Sequence, residues 1–83
     1  MRKYNGLSNV TGQLIEKALK NKKMTQETLC KKLQLYGINI DRFHLYRIMT
    51  NAVIVKDFEL IAICKILDID YEDIKNTVIN IHG

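Results

Sequence analysis

No proline interrupts this chain, and glycine is scarce, with four in 83 residues. With so few helix breakers and no internal repeat or low-complexity stretch, helical segments can follow one another closely. Cysteine is nearly absent: Cys30 and Cys64 have no C-x-x-C spacing, and each lies within an apolar, helix-like run. They read as small buried hydrophobes in a reducing compartment rather than as a disulfide or as metal ligands. No apolar run approaches the ~20 residues of a membrane span. The opening Met1-Arg2-Lys3-Tyr4-Asn5-Gly6 leads into polar residues rather than a signal-peptide core. The expected location is cytoplasmic, with no membrane partner. Catalytic chemistry is equally thin. Ser8 is the only serine and sits near the N-terminus, which leaves no credible hydrolase triad. His44 and His82 are far apart and have no paired cysteines, which argues against zinc. Asp68, Asp70, Glu72 and Asp73 lack the EF-hand spacing and its central glycine. No phosphate loop is present, so the expectation is a binding protein, not an enzyme, with no cofactor and no metal.

The chain is one domain's worth of sequence, and a domain this small buries only about 60% of its unfolded surface. Its stability is marginal unless a second subunit completes the core. The formal charge is +4, and it is unevenly placed. Residues 1–32 carry Arg2, Lys3, Lys17, Lys20, Lys22, Lys23, Lys31 and Lys32 against only Glu16 and Glu27. Residues 57–73 carry Asp57, Glu59, Asp68, Asp70, Glu72 and Asp73 against Lys65 alone. One end of such a molecule suits a polyanion.

Apolar residues recur at helical spacing almost throughout, and five helices are expected. After an arm formed by residues 1–9, the first runs from about Val10 to Asn21, with Asn9 as its N-cap and Val10, Leu14, Ile15 and Ala18 on one face. The second has Thr25 as N-cap, places Leu29, Cys30 and Leu33 together, and has Met24 spaced to staple onto Leu29. Gly37 ends it, where a left-handed residue is cheap only for glycine. The third repeats the device, with Asp41 as cap and Ile40 stapling to Leu45. The fourth starts at Asp57 with Leu60, Ile63, Cys64 and Leu67 on its core face; the fifth starts at Asp70 and carries Tyr71, Ile74, Val78 and Ile81. Domain 10–82 is thus an all-α bundle.

At 100° per residue, Leu45, Ile48 and Met49 of the third helix point inward, and Phe43, Tyr46, Arg47 and Thr50 point outward. The outer face presents Arg42, Phe43, Tyr46 and Arg47 with His44 beside them, and no acid follows the cap. Arginine grips guanine edges or phosphates with paired hydrogen bonds, and aromatic rings meet thymine methyls. The same aromatics would also suit packing against the fifth helix or a neighbouring subunit.

The run Thr25-Gln26-Glu27-Thr28-Leu29-Cys30-Lys31-Lys32-Leu33 resembles the first half of the phage-repressor/Cro-type helix-turn-helix, with Cys30 in the small position where the two helices cross. Gly37 to Ile48 resembles the turn and recognition helix of that family, and Asp57 to Leu67 its fourth helix. The resemblance covers residues ~10–75, in three blocks in the right order. It implies a lambda-repressor-like five-helix fold and transcriptional regulation through double-stranded DNA. By position, it implies that Gln26 holds a backbone phosphate, that Arg42 and Phe43 meet base edges, and that Tyr46 and Arg47 reach further along the groove. The Asn51–Lys56 loop would lie by the DNA backbone. Three departures stand out: Gln34-Leu35-Tyr36 lengthens the second helix or the turn, Met49 replaces a frequent glutamate, and Asn51-Ala52 replaces a frequent Asn-Gly.

Lysines 22, 23, 31, 32 and 56 are the candidate phosphate contacts, with His44 counted among the DNA-binding residues. The apolar residues of the last helix suggest a homodimer with Ile74, Val78 and Ile81 at its interface. The competing reading keeps the fold as a protein-interaction module that has lost DNA binding.

Overall fold

The computed structural model describes residues 6–82, and the side chains of residues 6–77. Among them the chain forms five helices and no strand: α1 (Gly12–Asn21), α2 (Gln26–Leu35), α3 (Arg42–Met49), α4 (Asp57–Leu67) and α5 (Tyr71–His82). The all-α expectation holds, and two starts follow the expected caps. Thr25 Oγ1 accepts the Thr28 amide at 3.1 Å, and Asp41 Oδ1 accepts the His44 amide at 2.7 Å. Each satisfies one amide that the first helical turn cannot pair internally.

The helix ends share one closure. At α2, the Ile38 amide reaches back to the Leu33 carbonyl and the Gly37 amide to Gln34. Gly37 takes φ +78°, the left-handed conformation expected of it. The same pairing closes α1, through Met24 to Leu19, and α3, through Ala52 to Arg47. Their left-handed residues are not glycine but Lys23 (φ 53°) and Asn51 (φ 63°). At α4, Asp68 (φ 56°) plays this part, with the Ile69 amide on the Cys64 carbonyl.

α1 packs against α3, α4 and α5, and α2 packs against α3 and α4. The core between them holds Ile15, Leu19, Leu29, Cys30, Leu33, Ile40, Leu45, Ile48, Met49, Ala62, Ile63 and Leu67. Met24 and Ile38, one beside each end of α2, pack against it.

Several expectations need correction. α1 starts at Gly12 with Thr11 at the cap position, so Asn9 is not its N-cap. The buried Asn9 side chain instead donates to the Ile48 carbonyl at 3.1 Å and the Val53 carbonyl at 2.7 Å, while its Oδ1 accepts the Thr11 amide at 3.0 Å. The Ser8 amide also donates to the Asn51 carbonyl. The arm expected over residues 1–9 is therefore fastened to the domain at Ser8 and Asn9, and residues 1–5 lie outside the described residues. The core face of α4 is also turned from the expected one. Glu59, Ala62, Ile63 and Leu67 are buried, while Leu60 and Cys64 are half-buried. The cause is that Glu59 faces inward, where its Oε1 accepts the Lys56 amide at 2.9 Å and holds the start of α4. At the fifth helix, Tyr71 is exposed rather than part of a core face.

Candidate nucleic-acid interface

Helix α3 divides cleanly. Leu45 and Ile48 are fully buried and Met49 nearly so, which fixes the rotation of the helix. That rotation turns Arg42, Phe43, Tyr46, Arg47 and Thr50 to solvent, as the periodicity predicts. Phe43 is 70% exposed and Tyr46 57%, so both rings are largely open to solvent. The Arg47 guanidinium carbon stands 5.8 Å from the Phe43 ring centroid, one helical turn away. That stacking holds both side chains along the outer face without hiding the guanidinium donors. No acid lies within salt-bridge distance of Arg42 or Arg47 among the described residues.

The start of α2 borders the end of α3. Thr25, Gln26, Tyr46 and Thr50 line a cleft of about 320 Å³ together with Leu19, Met24, Met49, Glu16 and Lys20, the last two 3.4 Å apart as an exposed ion pair. Gln26 thus lies beside the Tyr46 end of the exposed face, at the α2 terminus whose unpaired amides attract anions.

The lysines differ. Lys23, Lys32 and Lys56 are exposed, with no acid within ion-pair distance among the described residues. Lys56 leans toward Phe58, 5.9 Å from the ring centroid. Lys31 lies 3.5 Å from Glu27 on the same helix, an exposed pair of little energetic weight. Lys22 instead bridges Asp68 at 2.5 Å, tying the end of α1 to the end of α4, which sets it apart from the unpaired cations.

Among the candidate site residues of α3, His44 alone is not fully exposed. It is half-buried, and its Nε2 is buried without a hydrogen-bond partner, 3.9 Å from Glu59 Oε2. The Nε2 edge of the ring thus lies against α4, while the side chain as a whole remains partly exposed. Of the proposed dimer residues, Ile74 is half-buried, and the side chains of Val78 and Ile81 lie outside the described residues.

Several positioning residues escape a reading of sequence alone. Gly12 donates its amide to Asn51 Oδ1 at 3.0 Å, and Asn9 holds the carbonyls of Ile48 and Val53. Together they fasten the entry of α1 to the end of α3. Glu59 holds the start of α4 through the Lys56 amide and stands 3.9 Å from His44 Nε2 on α3 without a hydrogen bond between them. Neither Glu59 nor Asn9 announces its role in sequence: Lys56 is not a capping residue type that would flag Glu59, and Asn9 offers no signal specific to its partners. Cys30 and Cys64 are free, and burial pushes both thiol pKa values up. For Cys30 the nearby Asp41 carboxylate adds to that shift. Such thiols suit packing rather than nucleophilic work.

Comparison with protein-family models, curated proteins and solved structures found no match.

Proposed function

We propose that this chain is a sequence-specific, DNA-binding transcriptional regulator that acts as a homodimer and docks α3 in the major groove. The observation that carries this reading is the outer face of α3: two arginines without an ion-pair partner among the described residues, and two exposed aromatics, on a helix seated by Leu45 and Ile48. An α-helix with its side chains is about 10–12 Å across, which fits a major groove about 12 Å wide. Arg42 and Arg47 supply bidentate donors for base edges or phosphates, and Phe43 and Tyr46 supply apolar contact for thymine methyls. Gln26, Lys23, Lys32 and Lys56 are the candidate phosphate contacts that would set register. α2, the Gly37 turn and α3 then act as a helix-turn-helix of the phage-repressor type, in a cytoplasmic protein that is not an enzyme. No helix among the described residues is long and apolar enough to cross a membrane.

Binding to duplex DNA at two salt concentrations tests this. Each neutralised phosphate adds about 0.9 to the salt slope of the logarithm of the binding constant. A slope of several units supports the reading. Absence of binding to any duplex favours the competing one, in which the exposed Phe43 and Tyr46 anchor a protein partner.

A further inference from the structure

Helix α4 leaves a second face uncovered, apart from the arginine face of α3. Phe58 is 53% exposed and Ile61 67%. At the end of α2, Leu35 is 87% exposed and Tyr36 51%. The two helices meet at this surface, because the Lys65 ammonium sits 5.6 Å from the Tyr36 ring centroid. Four large apolar side chains exposed together amount to roughly 500 Å², in the range where a patch on a small protein marks an interaction site.

The charge pattern around the patch indicates its occupant. Asp57, Ile61 and Lys65 follow one another at intervals of four and form a single ridge of α4, with both charged residues exposed. Asp57 stands as far before Ile61 as Lys65 stands after it. Phe58 likewise precedes Ile61 by the same interval at which Cys64, half-buried, follows it. A second α4 running antiparallel and crossing at Ile61 therefore sets Asp57 against Lys65 at both ends and Phe58 against Cys64 on both sides. The charged pairs lie about 6 Å along the axis from the crossing, close enough for a lysine side chain to span even at an inclined crossing. The ridge is complementary to its own antiparallel copy, as a twofold interface requires.

We infer that the α4 ridge Asp57–Ile61–Lys65, flanked by Phe58, Leu35 and Tyr36, is the interface of a homodimer. This deepens the homodimer of the proposed function and moves its centre from α5 to α4. Two such patches bury on the order of 1,000 Å² in total, near the lower limit of a specific interface.

Sedimentation equilibrium of the full chain without DNA tests the interface independently of DNA recognition. The wild type should approach twice the 9.7 kDa chain mass as concentration rises. Ile61→Asp should remain monomeric. Asp57→Lys and Lys65→Asp should each weaken association at least tenfold by facing like charges, and the double exchange should restore most of it. Val78→Asp should leave association unchanged. Circular dichroism checks that each variant stays helical; if Ile61→Asp does not, the charge exchange carries the test. A wild type monomeric throughout overturns the inference and assigns the patch to a different partner. So does a double exchange that fails to recover, or dissociation by Val78→Asp alone. Failure of the wild type to bind duplex DNA, read separately, would count against the proposed function and leave the dimer result standing.

Discussion

Replacing Gly12 with alanine sets two effects against each other, and the structure decides between them. Intrinsic propensity favours the change, since alanine is better than glycine in a helix by about 1 kcal/mol. Gly12, however, is buried at the junction of α1 and the end of α3. A Cβ there would stand 2.5 Å from Asn51 Oδ1 and 2.7 Å from the Ile48 carbonyl oxygen, and would also meet the Met49 carbonyl. Two of these neighbours are backbone atoms and cannot swing aside as a flexible side chain can. Overpacking of this kind costs about 1–3 kcal/mol. Pushing α1 away also stretches the Gly12–Asn51 hydrogen bond, worth about 1 kcal/mol. Gly12 is the first residue of the helix, where the propensity gain is smallest, so the clash wins and the net loss is about 1–3 kcal/mol. A domain of this size loses about 4–8 °C of melting temperature per kcal/mol. Thermal unfolding followed by circular dichroism should show a clear fall. An unchanged or raised melting temperature would mean that α1 does not approach α3 this closely, and the reasoning would fail.

Gly37→Ala should destabilise by about 1 kcal/mol, through the left-handed backbone alone, because nothing lies near enough to obstruct a Cβ. Gly37→Asn should recover part of that loss, and equal melting temperatures for all three proteins would contradict the assignment. Cys30 and Cys64 should react with iodoacetamide only at higher pH than a free thiol does, since their raised pKa values lower the thiolate fraction at any given pH. Denaturant should abolish the difference; native thiols alkylated as fast as free cysteine would show that burial does not protect them.

The starts of α2 and α3 and the facing of α3 were legible because they are local. Thr25 and Asp41 cap within three residues, Gly37 turns the chain where only glycine does so cheaply, and a 3.6-residue period puts Leu45, Ile48 and Met49 on one side. Other features arise from contacts between distant segments. Asn9 looks like a cap in sequence, yet its partners Ile48 and Val53 lie 39 and 44 residues away. Glu59 is a carboxylate in an apolar helix, and solvating such a group at the surface is the ordinary outcome; here it is buried to hold the start of α4 beside His44. The left-handed Lys23 and Asp68 carry no glycine to announce them. In α4 more apolar residues are present than one face can bury, so periodicity alone left the face ambiguous by about one residue. The observed rotation leaves Ile61 and Phe58 uncovered.

The central claim is that α3 reads base sequence through its arginines, and selection from a random duplex library tests it most directly. The wild type should enrich a palindromic site. On that site Arg42→Ala and Arg47→Ala should each cost roughly 1–3 kcal/mol and relax the preference at particular base pairs. Lys32→Ala should weaken binding to all sequences alike and reduce the salt slope by about one unit. No enriched site from the wild type, or arginine variants that select the same site with undiminished affinity, would contradict the account.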